Sequence, residues 1–143
     1  MRIYSVLVTV CAVAFLGFEE ASAQQFDCSR FIYSGSQLYN NHDSPNGKFA
    51  GSLRIDNTYV CGYATCFVGK FPDRNPSFKG SFAGNNMEFE RKVYTGEVTP
   101  AGDPGYATQI WSGICRSSEI QGTWRDKPGT GSDFGGTFKI WRQ

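Results

Sequence analysis

Residues that could support acid–base catalysis are few in this chain. His42 is its single histidine and is followed directly by Asp43, the order expected of a general base beside an orienting carboxylate. The surrounding residues 40–47 are rich in Asn, Asp, Ser, Pro and Gly, which is typical of an exposed loop. Nothing in the sequence marks a serine or cysteine nucleophile for this histidine, so a hydrolytic enzyme using His42 is the least favoured of three functional hypotheses.

Two carboxylates form the second candidate for chemistry. Glu88 and Glu90 are two positions apart, so they share one face of a predicted strand and could bind a cation or divide acid and base roles. They are followed by Arg91 and Lys92, and this charge pattern is equally typical of the solvent-facing side of a strand. The sequence therefore predicts no catalytic residue and no cofactor.

Four cysteines follow the N-terminal apolar segment. An even number of cysteines in an exported domain indicates disulfides, and four cysteines allow three pairings. We predict a local bridge between Cys61 and Cys66 and a long-range bridge between Cys28 and Cys115. Because the spacing of Cys61 and Cys66 does not fit a zinc knuckle and the chain has one histidine, no metal site is predicted.

The N-terminus has the features of a cleaved signal peptide. A basic start and an apolar run lead to Ala21-Ser22-Ala23, the small-x-small pattern of a signal-peptidase site. Residues 1–23 are therefore predicted to be removed, which leaves residues 24–143 as a single secreted or periplasmic domain. No second apolar segment of spanning length follows, and the basic residues are interspersed with acidic ones. Neither a membrane span in the mature chain nor a nucleic-acid partner is expected.

The elements that position these residues are predicted to be β-strands. A three-residue motif of glycine, a small hydroxyl residue and a large apolar residue occurs four times, as Gly51-Ser52-Leu53, Gly80-Ser81-Phe82, Gly122-Thr123-Trp124 and Gly136-Thr137-Phe138. Since strand side chains alternate between faces, each glycine shares a face with the large residue. The pattern predicts an all-β fold, a single antiparallel up-and-down barrel of about eight strands. A two-sheet β-sandwich is the alternative.

Local patterns predict where the strands turn. The clearest hairpin is 109–125, with Trp111 opposite Trp124 and Gly113 opposite Gly122. The other predicted elements are a hairpin at 78–93 turning at Gly84-Asn85, a third turning at Asp56-Asn57-Thr58, strands at 30–38, 67–71, 94–98 and 135–141, and loops at 40–47, 72–77, 99–107 and 126–134.

The leading functional hypothesis is non-covalent binding of a small apolar ligand at the mouth of the barrel. Trp111 and Trp124 are expected to line the cavity. Arg125, which follows Trp124, is also predicted to be a ligand-binding residue. Tyr59 and Trp141 are expected to face outward, where aromatic side chains serve as sugar-binding platforms or contact anchors.

The second hypothesis is a module that binds an exported protein, such as an enzyme inhibitor. It predicts that the loops at 40–47, 72–77 and 99–107 carry the activity.

Overall fold

The computed structural model describes residues 28–130 and 133–143. The predicted signal peptide, residues 1–23, lies outside the described residues. A short 3-10 turn, Cys28–Arg30, precedes eight strands. The strands are β1 (Gln37–Ser44), β2 (Gly47–Cys61), β3 (Ala64–Lys70), β4 (Phe78–Ala83), β5 (Asn86–Val98), β6 (Pro104–Arg116), β7 (Glu119–Asp126) and β8 (Gly135–Trp141). In this described part of the chain, no helix has the length and apolar character needed to span a membrane.

The eight strands form one closed antiparallel barrel. Each strand pairs with the next along the chain, and β1 pairs with β8 to close the sheet. At this seam, Tyr39 lies opposite Trp141 and His42 lies opposite Phe138. The barrel confirms the predicted fold class, and the two-sheet alternative is excluded because the hydrogen-bonded strand order runs through all eight strands without a break.

The pairings predicted for two hairpins are confirmed. In β6 and β7, Trp111 lies opposite Trp124 and Gly113 lies opposite Gly122. In β4 and β5, Lys79 lies opposite Glu90, which places opposite charges side by side on the outer face.

The predicted turn at Asp56-Asn57-Thr58 is wrong. Strand β2 continues through these residues to Cys61, with an irregularity in its pairing with β3 between Ile55 and Asn57. Such a bulge takes up one extra residue without ending the strand. The chain turns instead at Gly62, whose φ of 65° lies in the left-handed region that favours glycine. The predicted disulfide Cys61–Cys66, here called the short disulfide, joins the two sides of this hairpin.

The predicted loop at 40–47 is also wrong, because these residues belong to β1, to a two-residue turn and to the start of β2. The polar composition of this segment indicated a loop, but the sheet pairing is continuous from Gln37 to Ser44. The strand predicted at 30–38 begins only at Gln37, and the strand predicted at 94–98 is the end of β5. The loop predicted at 99–107 is shortened because β6 begins at Pro104.

Aromatic rings fill the middle of the barrel. The largest fully buried side chains include Trp111, Phe31, Phe67, Phe78 and Phe89. Glycines on the inner wall make room for these rings, because a Cβ atom on Gly80 would collide with the Phe67 ring and one on Gly122 would lie 2.8 Å from Phe138 Cζ. In these places the rings close over the bare backbone, and no side chain larger than hydrogen fits beneath them.

The two ends of the barrel differ. At the closed end, where β1 begins, residues 28–36 cover the interior and the Phe31 side chain has no exposed surface. The predicted disulfide Cys28–Cys115, here called the long disulfide, fastens this segment to β6. The open end is the opposite one, formed by the residues between β1 and β2, β3 and β4, β5 and β6, and β7 and β8.

Candidate functional site

The inner wall at the open end carries polar side chains among aromatic rings. Strand alternation places Leu38, Asn40 and His42 of β1 on the inner face, and the last two lie opposite Gly51 and Phe49 of β2. The sequence composition of this segment predicted an exposed loop, whereas Asn40 is fully buried and His42 is half-buried. These positions therefore bring polar groups into a space that the rest of the barrel fills with apolar side chains.

The two predicted ligand-binding tryptophans form the floor of this region. Trp111 has no exposed surface, and its ring stacks on Phe89 at 5.3 Å between ring centroids and on Trp124 at 6.1 Å. Trp124 is 4 % exposed, and its Nε1 donates a hydrogen bond of 2.7 Å to the backbone oxygen of Asp43. Both rings are thus packed side chains in fixed orientations, beneath the polar groups of β1.

His42 lies directly above this floor. Its ring meets Trp111 edge-on at 5.2 Å between centroids and stacks on Phe49 at 5.6 Å. Burial lowers the pKa of His42, the positive charge of Arg91 lowers it further, and the negative charge of Asp43 partly opposes them. The imidazole is therefore neutral at neutral pH, and its Nδ1 lies 3.3 Å from Asn40 Oδ1.

Among the described residues, Arg91 is the one buried residue with a cationic side chain, and it lies at the open end. Its guanidinium carbon lies 3.9 Å from the centroid of the Phe71 ring, and its Nη2 pairs with a carboxylate oxygen of Asp73. Burial lowers the pKa of Arg91 while Asp73 raises it. A guanidinium keeps its charge in such surroundings, because its ordinary pKa lies far above the physiological range. Trp111 stands between Phe71 and His42, so Arg91 and His42 face one region.

Two buried nitrogen atoms at this end have no hydrogen-bond partner among the described residues. They are Nδ2 of Asn40 and Nε of Arg91. A half-turn of the Asn40 amide would exchange its nitrogen and oxygen, and one amide atom would remain unpartnered in either orientation. A buried polar group without a partner costs about 1–3 kcal/mol, so this pair of groups is a destabilising feature of the protein alone.

The wall opposite Asn40 leaves space. A Cβ atom on Gly51 would meet a single atom within 4 Å, Asn40 Nδ2 at 3.7 Å, in contrast to the collisions at Gly80 and Gly122. Strand β3 pairs with β2 only from Arg54 onward, so residues 47–53 of β2 have a described sheet neighbour on the β1 side alone. In the described part of the sheet, this stretch of β2 therefore has an unpaired edge beside the Asn40 amide.

The other predicted site residues lie on the outer surface and do not join this region. Trp141 stacks on Tyr39 at 6.3 Å between centroids. Tyr59 is 45 % exposed and lies in β2 close to the short disulfide, near the closed end. Arg125 is exposed and lies between Ile110 and Gly135 in the sheet.

The sequence interpretation did not select Asn40, Gly51 or Arg91, and it placed His42 in a loop. One signal was present, because Leu38, Asn40 and His42 follow the two-residue alternation of a strand face. Among the described residues, no three His, Cys, Asp or Glu side chains come together as a metal site. No protein-family model, curated protein or solved structure matches the chain.

Proposed function

We propose that this chain is an exported binding protein that holds a small organic ligand inside the open end of its barrel. The ligand carries a hydrogen-bond acceptor on an apolar body. This proposal keeps the expected binding function and moves its polar contacts to residues that the sequence did not select. Two disulfides agree with an oxidising compartment, which supports export.

The two unpartnered buried donors are the observation that carries the proposal. Buried polar atoms in folded proteins are almost always hydrogen-bonded, and each exception calls for a physical reason. A ligand carbonyl or carboxylate oxygen is the kind of group that would accept from Asn40 Nδ2 or from Arg91 Nε, and a ligand with two acceptor oxygens would satisfy both nitrogens. Because Asp73 already neutralises much of the Arg91 charge, a neutral carbonyl is expected to bind as well as a carboxylate.

The apolar part of the ligand has an aromatic surface to contact. Phe49 is 45 % exposed at the open end and stacks on the half-buried ring of His42, which lies against the buried rings of Trp111 and Trp124. Burying an aromatic or aliphatic body here contributes about 25 cal/mol per Å² of apolar surface, before the entropy cost of binding. Affinity then comes from the apolar body, and orientation comes from the two donors.

The two competing hypotheses are affected differently by the structure. The loop-based module loses one of its three loops, because residues 40–47 form strands and a tight turn. For the enzyme hypothesis, His42 faces the barrel interior, where its Nδ1 contacts an amide oxygen. We therefore favour binding at the open end over both.

The experiment observes the unpartnered groups directly. In ¹H–¹⁵N NMR spectra, the side-chain signals of Asn40 and Arg91 are followed while benzoate, benzamide, octanoate or toluene is added. We expect the acceptor-bearing probes to shift both signals, and benzoate to bind at least about tenfold more tightly than toluene, which lacks an acceptor.

Matched variants separate a specific site from general adsorption. Gly51→Val fills the space beside Asn40 without removing a polar atom, and we expect it to weaken binding of every probe. Asn41→Leu changes the adjacent, outward-facing amide and should leave binding unchanged. The proposal is refuted if no acceptor-bearing probe shifts the two signals at concentrations of about 10 mM, or if Gly51→Val binds as the parent protein does.

A further inference from the structure

A groove crosses the outer face of the barrel over β1, β8, β7 and the end of β6, and His42 and Phe138 of the inner face also border it. Its volume is about 700 Å³. We call it the outer groove, and the residues that line it include Asn41, Asp43, Gln121, Thr137, Lys139 and Trp141. Both Trp141 and Thr137 belong to β8, which runs along the middle of the groove.

Sheet register arranges the groove in rows of side chains. Asn41 lies opposite Lys139, and Lys139 lies opposite Gln121, so these three stand side by side across three strands. Trp141 stands two residues further along β8, and Thr137 stands two residues back on the same face. The groove therefore has an indole ring at one end and mostly polar side chains along the remainder, with the exposed Ile114 beside Gln121.

The indole ring is held in place. Tyr39 lies directly opposite Trp141 and stacks on it, with 29° between the ring planes. Trp141 is half-buried, so part of its surface remains accessible within the groove. A large aromatic side chain with few rotatable bonds offers contact area at a small entropy cost, as recognition surfaces commonly do.

The polar side chains are also constrained by neighbours. The Thr137 hydroxyl donates a hydrogen bond of 2.7 Å to the Asp43 carboxylate. Lys139 pairs with Glu119 at 3.1 Å, and the Gln121 amide donates to the same Glu119 side chain. Donors and acceptors are thus mixed in the groove, and the ammonium of Lys139 is already paired. This mixture suits a ligand that is covered with hydroxyl groups, since each hydroxyl both donates and accepts.

We propose that the outer groove binds an oligosaccharide built of pyranose rings. One sugar ring packs its C–H face on Trp141, and its neighbours along the groove place hydroxyl groups against Asn41, Gln121 and Thr137. Lys48 and Arg116 also line the groove, so an acidic sugar is expected to bind more tightly than a neutral one at low salt.

This site shares His42 with the one at the open end, because His42 also lines the groove, but the side chains proposed to contact the sugar lie on the outer face. Asn40 and Asn41 are adjacent in β1 but point to opposite faces, the first buried and the second exposed. A substitution at Asn41 therefore tests the outer groove, and a substitution at Asn40 tests the interior. Either proposal can fail while the other stands.

The test measures binding of cellohexaose, chitohexaose and hexagalacturonate by calorimetry and by tryptophan fluorescence. Trp111 and Trp124 are buried, so a fluorescence change on sugar binding reports Trp141. We expect at least one of these probes to bind with a Kd of about 1 mM or tighter. Trp141→Ala and Asn41→Ala should each weaken it at least about fivefold, and Trp141→Phe, which keeps an aromatic ring, should weaken it less.

Tyr63→Ala is the matched control, because Tyr63 is a fully exposed aromatic side chain outside the groove and should not affect binding. Far-UV circular dichroism and thermal melting establish that each variant is folded. Asn41→Ala replaces an exposed side chain, so it remains informative even if Trp141→Ala is unstable. Absence of binding by all three probes at about 10 mM overturns the proposal, as does binding that Asn41→Ala and Trp141→Phe leave unchanged.

Discussion

Replacing Asn40 by leucine is expected to make the protein more stable. Leucine has the same branched shape and the same number of side-chain heavy atoms as asparagine. Position 40 is 2 % exposed, about as buried as Leu38, which lies on the same face of β1 and is 1 % exposed. The substitution removes the unpartnered amide nitrogen and introduces a side chain that suits the neighbouring rings. Most substitutions of a fully buried residue lower the free energy of unfolding. An increase on replacing Asn40 is therefore an informative result.

The magnitude follows from two opposing contributions. Removing an unsatisfied buried polar group gains about 1–3 kcal/mol. Losing the contact of 3.3 Å between Asn40 Oδ1 and His42 Nδ1 costs about 0.5–1 kcal/mol, because it is a long hydrogen bond between neutral groups. The net stabilisation is about 1 kcal/mol, which corresponds to a rise in Tm of about 4 °C for a domain of this size.

The assay is urea unfolding at pH 7, followed by tryptophan fluorescence and repeated by thermal melting. Asn41→Leu is the control, because it makes the same chemical change at the adjacent, exposed position. We expect the control to change the free energy of unfolding by no more than about 0.5 kcal/mol. The same Asn40→Leu protein should have lost affinity for benzoate, so stability and binding change in opposite directions.

A loss of stability of about 1 kcal/mol or more in Asn40→Leu would show that the amide has a partner that stabilises the protein without a ligand. An ordered water molecule bound to the Asn40 amide is the simplest such partner. The open end would then hold no unpartnered amide, and the proposed ligand site would be refuted.

Three further predictions concern pH, cross-links and glycine positions. Because the pKa of His42 is lowered from 6.5, the unfolded chain binds more protons below that pH. Stability should therefore fall as the pH is reduced below 6.5, His42→Gln should remove this dependence, and NMR titration of the single imidazole measures the pKa directly. Replacing both cysteines of the long disulfide, which are 87 residues apart, by alanine should lower the free energy of unfolding in urea by about 4–5 kcal/mol. The same change at the short disulfide, which closes a much shorter loop, should lower it by about 2 kcal/mol. Gly122→Ala should lower the free energy of unfolding by about 2–3 kcal/mol, because its Cβ would collide with the backbone oxygen of Ser112. Gly51→Ala should change it by no more than about 0.5 kcal/mol. Equal effects of the two substitutions would contradict the difference in space around the two glycines.

The architecture could be predicted because the informative residues of neighbouring strands lie opposite one another. Trp111 with Trp124 and Gly113 with Gly122 fix the register of β6 and β7, and the short turn between them leaves few alternatives. The bulge near Asn57 could not be predicted, because one extra residue in a strand has no signature in composition. The prediction therefore placed a turn where the strand continues.

The candidate site could not be predicted because it breaks the rule by which strands are recognised. Asn40 and His42 occupy inward-facing positions of β1, where apolar residues are the expectation, and their polarity made the segment read as a loop. Functional positions are where local sequence rules are expected to fail. Arg91 enters the sequence interpretation only as one of the charges that follow Glu88 and Glu90. Its burial depends on Phe71 and Asp73, which belong to another part of the chain.

The seam between β1 and β8 determines when folding can finish. It joins the first strand of the barrel to the last, with Tyr39 opposite Trp141, so the closing contacts have the greatest sequence separation in the sheet. During synthesis the N-terminal strands emerge first, and the free edge of β1 stays unpaired until β8 is available. Contacts of such long range slow folding, and an exposed strand edge promotes association between chains in the meantime. Premature termination before β8 should therefore produce a chain that aggregates rather than a smaller stable barrel.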